Sequence, residues 1–170
     1  MTFKELSEQR YSVRSYTDEP VSDEQLSYIL ECACLAPSAV NFQPWHFYVV
    51  TKEDDRRKLH TCYDREWFKT APMYIICCIN HDEEWVRKSD SKPHGNIDIA
   101  ITTEHICLAA SEQGLGTCWV CNFNAELCIN LFKFPENEEP AVLIPLGHPS
   151  PDAECKPKTR KDIEQIVTRL

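Results

Sequence analysis

A chain of 170 residues is long enough for one domain with a real core and too short for two large ones, so residues 1–170 are expected to form a single domain. Hydrophobic residues make up 42% and charged residues 26%, ordinary globular values, and no apolar run approaches the roughly 18 residues of a membrane span. The net charge of −9 argues against broad nucleic-acid binding, which needs a dense basic surface, but leaves room for a local basic pocket around one phosphate.

The opening Met1-Thr2-Phe3-Lys4-Glu5-Leu6 is polar and amphipathic with no apolar signal stretch, which predicts a cytoplasmic protein. Ser22-Asp23-Glu24-Gln25 is a capping-box signature. Behind it Leu26, Ile29, Leu30 and Ala33 recur at helical spacing, and the helix should stop before Pro37. His46–Val50 is aromatic and β-branched and reads as a strand. Thr51-x-x-Asp54 is then expected to start a charged helix running to about Cys62. Met73–Asn80 is a continuous apolar run of strand length, predicting a strand buried on both faces. Residues 81–96 are polar around Trp85 and contain Pro93 and Gly95, which predicts a loop or mobile lid. Residues 97–113 are apolar on much more than one stripe, predicting a helix covered on most sides and ended by Gly114 in the left-handed conformation. A strand over 116–120, a short helix over 125–132 and a strand over 141–145 follow. The tail is basic from Cys155 and then carries Ile163, Ile166 and Val167 as an apolar stripe. Four or five strands interleaved with helices predict an α+β or three-layer architecture.

Ten cysteines without an export signal are read as free thiols, and most sit in apolar contexts where cysteine acts as a small core residue. Cys118-Trp119-Val120-Cys121 has metal-like spacing, but zinc needs a second pair or nearby histidines, and this segment reads as strand. With four glycines, neither a dinucleotide-binding glycine motif nor a P-loop is present. There is no H-E-x-x-H and no G-x-S-x-G elbow, and His105, on the buried helix, reads as a hydrogen-bonded core residue. A phosphate site must therefore come from basic side chains and amides.

Two basic clusters qualify: Arg10 with Arg14, and Lys156, Lys158, Arg160 and Lys161. Each alone is more often a solvated face than a site. Between a helix and a strand, Ala36-Pro37-Ser38-Ala39-Val40-Asn41-Phe42-Gln43-Pro44-Trp45 combines two backbone-fixing prolines with the hydrogen-bonding side chains of Ser38, Asn41 and Gln43. Such a stiffened polar loop suits preorganised recognition of a planar polar ligand; it is equally compatible with an ordinary turn.

In order along the chain stand R-x-S-x-R with a following aromatic (Arg10, Ser12, Arg14, Tyr16), A-P-S-x-x-N-x-Q-P-W, G-L-G-T-x-W at 114–119, P-L-G-x-P at 145–149, and a basic K-x-R. Each motif is weak alone, but together they span nearly the whole chain and the sequence resembles the nitroreductase family. The resemblance implies an α+β, nitroreductase-like fold, a mostly antiparallel central sheet flanked by helices. It also implies a homodimer with FMN at the subunit interface, the 97–113 helix packing against its mate.

Residue by residue, the resemblance puts the Arg10–Arg14 segment, Tyr11 included, at the flavin. Arg10 and Arg160 would hold the phosphate with Lys158 nearby, Ser12 would bond near the ribityl phosphate, and Arg14 would reach the pyrimidine end of the ring. Pro37, Ser38, Ala39 and Asn41 would come from the partner subunit, Gln43 would bond the flavin or its own loop, and Leu146 and Gly147 would lie close to the ring. The implied activity is FMN-dependent oxidoreduction by a ping-pong mechanism. NADH or NADPH delivers hydride to flavin N5 and an electron-poor small molecule, such as a nitroaromatic or quinone, is then reduced, with no protein acid or base required. Two alternatives share the resemblance: a same-fold flavin enzyme with other chemistry (reductive dehalogenation or flavin fragmentation) and a non-catalytic FMN-binding or regulatory protein. Cys121-Asn122 departs from the family, which often has glycine or serine shortly after G-L-G-T-x-W. Trp85, Lys88 and His94 are candidate substrate contacts in the 81–96 segment, which reads more readily as a solvated loop with one packed Trp.

Overall fold

The computed structural model describes all 170 residues. Its first half contains α1 (Phe3–Gln9), α2 (Asp23–Cys34), β1 (Trp45–Val50), α3 (Glu53–Cys62), α4 (Glu66–Lys69) and β2 (Met73–Asn80). Its second half contains β3 (Val86–Arg87), β4 (Lys92–Pro93), α5 (Gly95–Glu112), β5 (Gly116–Thr117), α6 (Ala125–Phe132), β6 (Glu138–Gly147) and α7 (Ile163–Ile166). A four-stranded sheet runs in the order β1-β2-β6-β5 with every neighbouring pair antiparallel; β3 and β4 form a separate hairpin.

Side chains alternate across a strand, and β2 shows why its sequence has no polar alternation. Met73, Ile75, Cys77 and Ile79 enter a core shared with Ile29 and Ala33 of α2 and Ile99 and Ile106 of α5. Tyr74, Ile76 and Cys78 enter a second core with Leu59 of α3, Phe68 of α4 and Cys128 of α6. Helices therefore cover both faces, giving three layers around an antiparallel sheet. The β2–β6 register slips between Cys77 and Cys78, whose partners are Val142 and Pro140. Pro140, which cannot donate to a ladder, sits at this irregularity, whereas Pro145 of the same strand pairs with Tyr74 in regular register.

Ser22 caps α2 as its sequence predicts, the Gln25 N–H donating to Ser22 Oγ at 3.2 Å and the Ser22 N–H to Gln25 Oε1 at 3.0 Å. Gly114 ends α5 with φ +74°. Three expectations need correction. Thr51 does not cap α3: the flanking residue is Lys52, with no side-chain cap. The acidic run Glu53-Asp54-Asp55 lies in the first turn instead, where the helix dipole favours negative charge. The strand expected over 116–120 ends at Thr117, leaving only a single bridge from Val120 to Leu143, so Cys118-x-x-Cys121 is mostly not strand; Cys118 is buried and Cys121 exposed. Residues 81–96 are not all loop, since they hold the β3–β4 hairpin and the first turn of α5. Two further helices lie beyond the elements expected from sequence: α1, with a Thr2–Glu5 capping box, and the short α4. The apolar stripe of the tail exists, but Ile163, Ile166 and Val167 are exposed.

Two local arrangements hold the ends of this scaffold. The segment after α1 is stitched to the sheet by a parallel bridge between Ser12 and Thr117 and by the Val13 N–H donating to Thr117 O at 2.9 Å. A Cβ on Gly116 would stand 2.6–2.9 Å from the side chain of Val13, itself 1% exposed. At the other end, His81 lies between two carboxylates, Nδ1 2.8 Å from Glu84 Oε1 and Nε2 2.8 Å from Glu139 Oε2. Glu84 Oε2 also accepts the Gly95 N–H at 3.0 Å, tying the hairpin to the start of α5.

Gly116→Ala is expected to destabilise the protein by about 2 kcal/mol, an overpacking cost, read as a lower urea midpoint with unchanged slope. The bonds from Glu84 and Glu139 raise the pKa of His81 above its ordinary 6.5. Its contribution to stability is therefore full below about pH 6.5 and is lost as pH rises through the elevated value. The stability deficit of His81→Ala, followed by urea unfolding across pH, should be largest in acid and shrink toward alkaline pH; a deficit that grows with pH contradicts the clasp.

Candidate cofactor site

The stitched segment and the tail enclose a cavity of about 610 Å³, within the usual range for a small-molecule site. Arg10, Tyr11, Ser12 and Arg14 line one wall, and Lys158 and Arg160 the other. Six of the residues singled out in the sequence thus meet across a separation of about 150 positions. Five cations, Lys156 being the fifth, face two carboxylates, Asp152 and Glu154, in a protein whose net charge is −9. A cavity this polar and cationic fits a phosphate group, which arginine forks bind bidentately.

The individual cations are held differently. Arg10 is mostly buried, its side chain 18% exposed, with Nε 3.6 Å from Glu104 Oε1 of α5, an ion pair longer than a hydrogen bond. Arg14 lies 5.7 Å from the centroid of the Trp67 ring, a cation–π arrangement that stations it at the cavity edge. Lys158 Nζ donates to Glu8 O at the end of α1, so its first role is to pin the tail against the N-terminal segment. Arg160 Nη1 donates to Thr159 O at 3.0 Å, and the residue remains exposed. Tyr11 packs at the edge of the second core, where burial, then the charge of a Cys155 thiolate, raises its hydroxyl pKa. Burial likewise raises the Cys118 thiol, opposed by nearby Arg14.

The remaining residues named from sequence lie elsewhere in the protomer. Leu146 is fully buried in the first core, and a Cβ on Gly147 would meet Pro72 at 2.6 Å and Tyr16 at 3.3 Å. As consecutive residues of β6 they point to opposite faces of the sheet, Leu146 into the first core and Gly147 toward Tyr16 of the second. Pro37, Ser38, Ala39, Asn41 and Gln43 form a surface loop outside the cavity. Three of its residues have positive φ: Val40 at 55°, Asn41 at 59° and Gln43 at 53°. Left-handed backbone is uncommon for any of these and an outlier for β-branched valine. Such strain costs on the order of 1–3 kcal/mol per residue and clusters at functional sites. Sequence reasoning missed Ser15, Asp152, Glu154 and Thr159 in the cavity wall, along with Trp67 and Glu104, which lie beside the arginines. No local pattern marks any of them; they enter through tertiary contact.

Among groups of histidine, cysteine and carboxylate side chains, none has a metal-binding arrangement. No helix is long and apolar enough to cross a membrane.

The profile of the Nitroreductase family matches residues 8–62 and 56–148. A protein of Methanothermobacter thermautotrophicus named for NADH dehydrogenase or NAD(P)H nitroreductase activity is 33% identical over 160 residues, covering 88% of this chain and 78% of that protein. The FMN reductase [NAD(P)H] of Bacillus subtilis is 30% identical over 173 residues, covering 91% and 68%. Iodotyrosine deiodinase 1 of Sus scrofa is 27% identical over 198 residues, covering 99% and 69%. Among solved structures, a nitroreductase family protein from Clostridium difficile 630 superposes with a TM-score of 0.90 at 34% identity, covering 99% of this chain and 98% of that one. The antiparallel three-layer fold and the ordered motifs agree with these likenesses, and the chain belongs to the nitroreductase family.

Proposed function

We propose that the protein is an FMN-dependent oxidoreductase that takes hydride from NADH or NADPH and reduces an electron-poor small molecule, such as a nitroaromatic or quinone, in two half-reactions at one site. The observation that carries this reading is the cationic cavity joining Arg10, Ser12 and Arg14 to Lys158 and Arg160. The relative named FMN reductase [NAD(P)H] supports the choice of cofactor and donor. Bound FMN supplies the redox chemistry, and the chain binds and orients it. Arg10 and Arg160 grip the phosphate with charged donors, while Lys158 holds the tail wall in place. Arg14, stationed beside Trp67 at the cavity edge, brings positive charge to the ring.

The same reading includes a homodimer. Leu35 at the end of α2, Val40 and Phe42 in the 38–43 loop and Ile97 in the first turn of α5 are exposed apolar side chains, at 80%, 66%, 51% and 50% exposure. A second copy covers them and presents Pro37, Ser38, Ala39, Asn41 and Gln43 to the partner's flavin. A second reading, reductive dehalogenation by the same bound cofactor, is favoured by the deiodinase relatives. Product analysis with a nitroaromatic, a quinone and a halogenated phenol as acceptors separates the two.

The purified protein is expected to take up FMN and to bleach it when mixed anaerobically with NADH or NADPH; bound flavin that never bleaches contradicts the reductase reading. Arg10→Ala should weaken FMN binding by about 1.5–3 kcal/mol, the range for a charge-assisted hydrogen bond, measured by fluorescence titration. Ile97→Arg places a charge on the proposed dimer face; it should give a folded monomer by light scattering that has lost FMN. A monomer retaining FMN contradicts the shared site.

A further inference from the structure

Side chains three or four positions apart share a helix face, and on α5 three polar ones so spaced grip the segment that leads into the strained loop. His105 Nδ1 lies 3.1 Å from Cys32 O, Thr102 Oγ1 donates to Ala33 O at 2.9 Å, and Asp98 Oδ1 accepts the Ala39 N–H at 2.9 Å. The first two hold the end of α2. Asp98 alone reaches past Pro37 and holds the loop itself. It is 2% exposed, and its second oxygen is buried without a partner, so a costly buried carboxylate is committed to one backbone amide.

That amide stands where the loop turns. After Ala39 come left-handed Val40 and Asn41, then left-handed Gln43, whose N–H donates to Ser38 Oγ at 2.9 Å. The strain is not relieved by burial within the protomer, because Val40 and Phe42 are exposed and so are Asn41 and Gln43. Its effect is to present polar and apolar side chains outward in a fixed arrangement.

We infer that Asp98 is a positioning residue of the flavin site: through the Ala39 N–H it fixes the left-handed loop in which Asn41 and Gln43 face the partner's flavin. This rests on the FMN reading above, and it assigns Asp98 a role no contact with the cofactor would reveal. Asparagine keeps an Oδ1 acceptor for the amide, whereas alanine removes it.

The test compares the purified full chain with Asp98→Asn and Asp98→Ala, reading FMN affinity by fluorescence titration, the midpoint potential of the bound flavin by spectroelectrochemistry, and oligomeric state by light scattering. Asp98→Ala is expected to bind FMN about tenfold more weakly, as loss of one buried hydrogen bond implies, and to shift the potential while remaining dimeric. Asp98→Asn should recover affinity to within about twofold, since the bond is retained. Should Asp98→Ala fail to fold, Ala39→Pro deletes the same bond from the loop side, Ser38 already having the extended conformation that precedes proline, and the same tenfold loss is expected. Wild-type affinity and potential in Asp98→Ala, or in Ala39→Pro, overturn the assignment, as does Asp98→Asn impaired as severely as Asp98→Ala. A wild-type chain that takes up no FMN overturns the cofactor reading, and with it this one; a wild type that binds FMN beside an unaffected Asp98→Ala overturns only the role of Asp98.

Discussion

β2 is paired on both edges, with β1 and β6, and packed on both faces, so no side chain along most of its length meets water. Removing that much apolar surface from water is the dominant favourable term in folding, and it forces the layers above and below. α2 and α5 close one face; α3, α4 and α6 close the other. Once β6 is registered against β2 through Met73 and Leu146, its last residues accept β5, and β5 in turn accepts the Ser12–Thr117 bridge. The arginines after α1 are thus placed by a chain of backbone pairings that begins in the middle of the core. Gly116 permits the last step, because the side chain of Val13 fills the space where a Cβ would be.

The elements that the sequence made legible are those defined by one dense local pattern. Ser22 and Gln25 announce α2, the eight apolar residues from Met73 announce β2, and Gly114 ends α5. Thr51 shows the limit of such patterns. Its spacing to Asp54 imitates a cap, yet the acidic first turn of α3 stands without one. The strand expected through Cys118 and Val120 fails for another reason: β6 pairs with Gly116 and Thr117 and then only touches Val120, a matter of sheet geometry that composition does not record. Hairpins as short as β3–β4 leave no periodicity to read.

The candidate site divides along the same line. Arg10, Ser12, Arg14, Lys158 and Arg160 could be named because charged residues in a motif are conspicuous. Their partners could not: Glu104 beside Arg10, Trp67 under Arg14 and the Glu8 carbonyl under Lys158 are contacts made across the fold. Asp98 is the sharpest instance. In sequence it is one of three acids on a largely apolar helix, and only its burial and its bond to Ala39 set it apart. Leu146 and Gly147 illustrate the opposite case, motif residues whose places in this protomer are set by core packing.

The Lys158–Glu8 contact joins residues separated by 150 positions, nearly the whole chain. Closing so large a loop carries a high entropic cost before any contact rewards it. The cavity wall therefore depends on the sheet and its helices, which bring the two segments together. An anion bound between them acts as a non-covalent tether, binding the folded form alone and suppressing local opening of the tail. The cationic cavity is in this respect a clasp for the two ends of the chain.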